Sequence, residues 1–128
     1  MEELIPAQEQ AIRLSPRDPQ IGLFYSRIGR AHLLQSRTDE AIVWLEKARN
    51  HSPALPFVHA QLASAYALKD ETERATVELA EARKLSPDNR YSSLARLRSV
   101  FIWSVPKIRA LQEATFFEGL RKAGMPEE

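Results

Sequence analysis

Apolar and small residues recur along this chain at helical spacing, and the pattern itself repeats. Laying residues 22–55 over 56–89, an offset of 34, gives ten identities without a gap. They include Ala31/Ala65, Leu34/Leu68, Thr38/Thr72, Ala41/Ala75, Leu45/Leu79, Ala48/Ala82 and the pairs Ser52-Pro53/Ser86-Pro87. The shared positions are small, apolar or turn-forming, which are the positions where packing geometry limits the choice of side chain. A repeat of this length, with no alternating β-branched run and no Asn-Gly or Asp-Gly turn, predicts stacked helical pairs. The expected helices span about 3–14, 19–35, 39–51, 56–69, 73–84, 90–102 and 107–123.

Local signals agree with those limits. Asp18-Pro19 reads as an N-cap with proline at the first helical position. Thr38-Asp39-Glu40 offers a capping hydroxyl and two acids where the helix dipole favours them, and Asp70 with Glu73 has the spacing of a variant capping box. Pro53 and Pro87 disfavour continuation of the helices before them. Gly29 and Ala63, together with Ala41 and Ala75, are expected to let the two helices of each pair approach closely.

With its period of 34, the chain resembles the tetratricopeptide repeat family, whose pattern is W-x2-L-G-x2-Y, A-x3-F, P. The matching residues are Tyr25, Ile28, Gly29, His32, Ala41, Leu45 and Pro53 in one unit, and His59, Leu62, Ala63, Tyr66, Ala75, Leu79 and Pro87 in the next. The resemblance implies an all-α solenoid of antiparallel helix hairpins. Its expected units are a half repeat over 2–18, repeats over 19–55 and 56–89, a partial repeat over 90–103, and a capping helix over 106–124 stopped by Gly124 and Pro126. The stretch 11–19 and the tail 118–127 also resemble the C-terminal repeat region of bacterial regulators that carry an adenylate/guanylate cyclase or DNA-binding domain upstream. That likeness implies a regulatory segment of a larger signalling protein, with no cyclase activity of its own.

Composition narrows the function classes. A 44% apolar content fills one core, and a net charge of +1 gives no general basic face for nucleic acid. Cysteine is absent, so disulfides, thiolate metal ligands and a cysteine nucleophile are excluded. No apolar run reaches bilayer length, and the acidic start Met1-Glu2-Glu3-Leu4 lacks secretory-signal order, so the expected location is the cytoplasm.

Catalytic and cofactor chemistry finds little foothold. His32, His51 and His59 are separated by 19 and 8 residues and form no zinc motif, and His32 and His59 fall on aromatic packing positions. No nucleophile elbow or phosphate-cradling glycine loop occurs. Acidic pairs such as Asp39-Glu40 and Glu78/Glu81 fall on second helices and are expected to be solvated surface. Arg90, Arg96, Arg98, Lys107 and Arg109 form a basic stretch that the acidic helix before it (Glu71, Glu73, Glu78, Glu81) could neutralise. Phe116-Phe117 and Trp103 are expected in the core of the capping helix. The expectation is no enzyme, no metal and no cofactor.

What remains is binding. By resemblance to the family, the inner face of each first helix lines a groove, which assigns Leu23, Ser26, Arg27, Arg30, Phe57, Gln61, Ser64, Tyr91 and Arg98 to a peptide-binding surface. Arg27 and Arg30 lie three apart and can share one face. With Arg98, Phe57 and Tyr91 they suggest a mixed cationic and apolar trough suited to a protein or peptide partner, including an acidic one. Family members that hold a terminal carboxylate use a lysine and asparagines at positions held here by Arg30, Ser64, Ser26 and Ala60, so that ligand is not expected. The alternative is a self-association element, because Leu4, Ile5, Ala11 and Ile12 of the half repeat lack their usual partner helix.

Overall fold

The computed structural model describes residues 21–86, 88–100 and 105–128. The proposed half repeat, the Asp18-Pro19 cap, Pro87 and Trp103 lie outside the described residues. Everything regular within them is helical: α1 (Ile21–Leu34), α2 (Thr38–His51), α3 (Pro56–Leu68), α4 (Thr72–Leu85), α5 (Leu94–Val100), α6 (Pro106–Gln112) and α7 (Glu118–Lys122). The fold is an all-α helical-repeat arrangement in which α1 pairs with α2 and α3 with α4.

Small residues set the separation within a pair. A methyl group added at Gly29 would lie 2.6 Å from Leu45 Cγ and 3.3 Å from the Ala41 carbonyl oxygen, while one at Gly22 would meet Ser52. Contacts that descend in α2 as they ascend in α1 mean an antiparallel hairpin. In the second pair Ala63 and Ala75 are fully buried at the equivalent positions.

Both hairpins turn in the same way. Ser36 and Asp70, 34 residues apart, adopt left-handed backbone with φ of 63° and 62°. Ser36 N donates to Leu33 O and Arg37 N to His32 O, at 3.0 and 2.8 Å. Asp70 N to Ala67 O and Glu71 N to Tyr66 O repeat the arrangement at 3.0 and 2.9 Å. This is a Schellman turn that satisfies the last carbonyls of the first helix. It also corrects the expected caps: α2 and α4 start at Thr38 and Thr72 without a side-chain cap bond, and Asp70 serves the turn instead of a capping box. A left-handed conformation strains any residue with a Cβ. Ser36→Gly is therefore expected to raise the unfolding free energy by about 1 kcal/mol in urea denaturation; no gain would show that the turn carries no strain.

The central helix is α3, buried continuously from Val58 to Ala67. A helix that is apolar or small all round needs neighbours on every side. Here α2, α4 and the C-terminal helix provide them. That last helix runs through α6, a π turn (Glu113–Phe117) and α7. The Thr115 hydroxyl bonds back to the Leu111 carbonyl at 2.7 Å within this turn. Such a back-bond to the preceding turn accompanies local departures from α geometry. Phe116 and Phe117 are both buried, as expected from the sequence.

The third unit departs from the expected 90–102 helix. Residues 88–93 form turns instead: Asp88 Oδ1 accepts from Ser86 Oγ at 2.9 Å and Arg90 N at 3.1 Å. The helix starts only at Leu94, with the Ser93 hydroxyl accepting the Arg96 amide at 3.2 Å as an N-cap. Beyond the C-terminal helix, Gly124 (φ 108°) closes a third Schellman turn, with Met125 N bonded to Leu120 O at 3.0 Å. The tail then returns across α5, where Leu94 N and Ala95 N donate to Pro126 O and Glu127 O, each at 2.9 Å. Tail carbonyls thus satisfy amides that a helix N-terminus leaves open.

Candidate functional site

Between the inner face of α1, the start of α3 and the C-terminal helix lies a cavity of about 300 Å³. Six of the residues assigned from the sequence line it: Ser26, Arg27, Arg30, Phe57, Gln61 and Tyr91. Leu33, Leu34, Leu97, Gln112 and Phe116 complete the wall. Helical spacing places Ser26, Arg30 and Leu33 on one side of α1, and the Ser26 hydroxyl donates to Gln61 Oε1 at 3.0 Å across the two units. The walls are mainly apolar with a few fixed polar groups, the usual make-up of a recognition pocket.

Its electrostatics are one-sided. Burial lowers the pKa of the Arg30 guanidinium, and among the described residues no acid offsets it. Arg27 is exposed beside it. On the opposite wall Gln112 is 1% exposed, and among the described residues its Oε1 has no hydrogen-bond partner. Burial pushes the Tyr91 hydroxyl up to about 12, so it stays a neutral phenol in ordinary conditions.

Three assigned residues lie elsewhere. Leu23 is half-buried outside the cavity wall. Ser64 is 0% exposed beneath the C-terminal helix, where its hydroxyl donates to the Phe116 carbonyl at 2.8 Å. The inner face of α3 is therefore occupied by the chain's own last helix instead of lying open at Ser64. Arg98 is drawn away by acids the groove mapping ignored. Its Nε bonds Glu113 Oε1 at 2.5 Å, another guanidinium nitrogen bonds Glu127, and both raise its pKa. It lines a neighbouring cavity with Arg109 and Phe117.

Gln112 and Phe116 were missed as site residues, although one signal was present. Ile108, Gln112, Phe116 and Leu120 are spaced by four, and a single polar residue in that otherwise apolar stripe marks a special position.

A second polar cluster lies between the repeats, and it corrects the expectation of a solvated Glu78. Glu78 is 7% exposed. Its Oε2 is 2.5 Å from His59 Nδ1 and its Oε1 2.6 Å from an Arg49 nitrogen, while His59 Nε2 lies 2.7 Å from the Pro53 carbonyl oxygen. Arg49 on α2, His59 on α3 and Glu78 on α4 thus clasp three helices. Among the described residues no ion pair joins the acidic helix to the basic stretch as expected: Glu78 is taken by Arg49, and Arg90 pairs with Asp88 at 2.9 Å.

Among the described residues no three histidines or acids converge as a metal site, and no helix is long and apolar enough to cross a membrane. Compared with known proteins, the chain matches no family model and no curated protein.

Proposed function

We propose that this chain is a non-catalytic protein-interaction module of the tetratricopeptide type, holding a segment of a partner protein in the trough between α1, α3 and the C-terminal helix. The observation that carries this reading is the cavity itself: Phe57, Tyr91, Leu33, Leu34 and Phe116 form apolar walls around Arg27 and Arg30. Aromatic side chains supply contact area at low entropic cost, and guanidinium groups give orientation through paired hydrogen bonds. The buried acid–histidine pair, by contrast, is engaged with Arg49 and the Pro53 carbonyl and serves packing between repeats. The resemblance of the tail to the repeat regions of cyclase-type regulators supports placing the module in a larger signalling protein.

The test is calorimetry of display-selected peptides against the wild type and an Arg27→Glu, Arg30→Glu double variant. A loss of affinity of at least about tenfold is expected with helical content unchanged, since each charge-assisted bond accounts for about that factor. Undiminished binding by a folded double variant would remove the trough from the account.

A further inference from the structure

Among the described residues, two polar groups of the trough lack the partner their burial calls for. The half-buried Arg30 guanidinium meets no acid among the described residues. Gln112, almost wholly buried on the opposite wall, leaves its Oε1 unbonded. A leucine there would complete the stripe of Ile108, Phe116 and Leu120 without the cost of an unsatisfied acceptor, so the amide weakens the fold where it stands. The C-terminal helix also restricts what can enter. With Ser64 Oγ bonded to the Phe116 carbonyl at 2.8 Å, a long segment cannot lie along the inner face of α3. What fits is a side chain and its immediate neighbour.

We propose that the trough is a pocket for one acidic side chain of the partner segment, flanked by a large apolar residue. Resting on the peptide-binding reading above, this assigns the partner carboxylate to Arg30, with Arg27 adding positive charge at the edge. A turn of the Gln112 carboxamide presents its oxygen to an N–H of the segment, and Phe57, Tyr91 and Phe116 receive the apolar neighbour. The match is one of charge and hydrogen-bond complement: a cation and an acceptor without partners among the described residues ask for an anion beside a donor.

The probe is a bead library of acetylated, C-terminally amidated heptapeptides, with retained sequences measured by fluorescence anisotropy on the full chain. Retained peptides are expected to share Asp or Glu next to Phe, Leu, Tyr or Trp. Exchanging that acid for its amide should weaken binding about ten- to a hundredfold on the wild type and leave binding to an Arg30→Gln variant unchanged. Gln112→Leu should keep or raise the melting temperature yet weaken the same peptide about tenfold. Peptides retained without an acid, or indifferent to its exchange, overturn the acidic-pocket proposal while the trough reading stands. So does binding confined to a parallel set with neutral side chains and free C-termini. A library from which nothing is retained overturns both.

Discussion

Replacing Gly119 by leucine is expected to unseat the C-terminal helix and lower the unfolding free energy by about 3 kcal/mol, at the upper end of what overpacking usually costs. An added Cβ at 119 would fall 2.1 Å from Ser64 Oγ, 2.5 Å from the Ser64 carbonyl oxygen and 2.8 Å from its carbonyl carbon. The hydroxyl could rotate away, at the cost of its bond to Phe116 O. The backbone of α3 could not, because that helix is enclosed along most of its length. Chemical denaturation read by circular dichroism measures the loss. A change below about 1 kcal/mol would mean that the helix does not depend on this close approach. Because the same helix supplies Gln112 and Phe116 to the trough, peptide binding should fall together with stability.

Glu78→Ala is expected to cost about 3 kcal/mol, since it leaves Arg49 and a buried imidazolium without their shared carboxylate. The charge state of His59 follows from its neighbours. Both ring nitrogens face acceptors, Glu78 Oε2 at 2.5 Å and Pro53 O at 2.7 Å, an arrangement that only the doubly protonated imidazolium satisfies at both ends. The hydrogen bond with Glu78 is the main cause that holds the pKa of His59 above 6.5, with desolvation opposing it and Pro53 O and Glu81 adding to it. Burial alone would raise the carboxyl of Glu78, but the bonds from His59 and Arg49 outweigh it and bring it below 4.5. A raised histidine pKa gives stability that is complete below its unfolded value and lost as pH rises through the folded one. A lowered carboxyl pKa gives stability that is complete above its unfolded value and lost as pH falls. The clasp is therefore strongest between pH 4.5 and 6.5. Between about pH 6 and pH 9 the wild type should lose more unfolding free energy than His59→Gln; parallel curves would show that the imidazole titrates without consequence.

The helical pairs were legible in the sequence because a repeat states its packing constraints twice. Ala41 and Ala75, or Leu45 and Leu79, hold equivalent places, and only residues that fit the hairpin persist at both. The turns were less legible. Ser36 and Asp70 are short polar turn residues, but neither is the glycine that marks a left-handed helix end, and their common backbone is imposed by closure of that end. Five groove residues meet at one cavity because helical spacing puts them on facing sides of α1 and the start of α3, and Tyr91 joins them from the turn before α5. Ser64 and Arg98 do not, because their surroundings depend on where the chain doubles back. No local pattern announces that Gly119 will sit on Ser64, or that Glu113 and Glu127 will enclose Arg98. Glu78 escaped notice for a related reason: its partners lie 19 and 29 residues away on two other helices.

The most direct test of the trough as the binding surface is amide chemical-shift mapping of the isotope-labelled chain on titration with a retained peptide. The account predicts that the largest shifts cluster at 26–34, 57–61 and 112–116. Shifts concentrated instead around Val43 and Val77, the exposed valines of α2 and α4, with those three stretches unmoved, would contradict it.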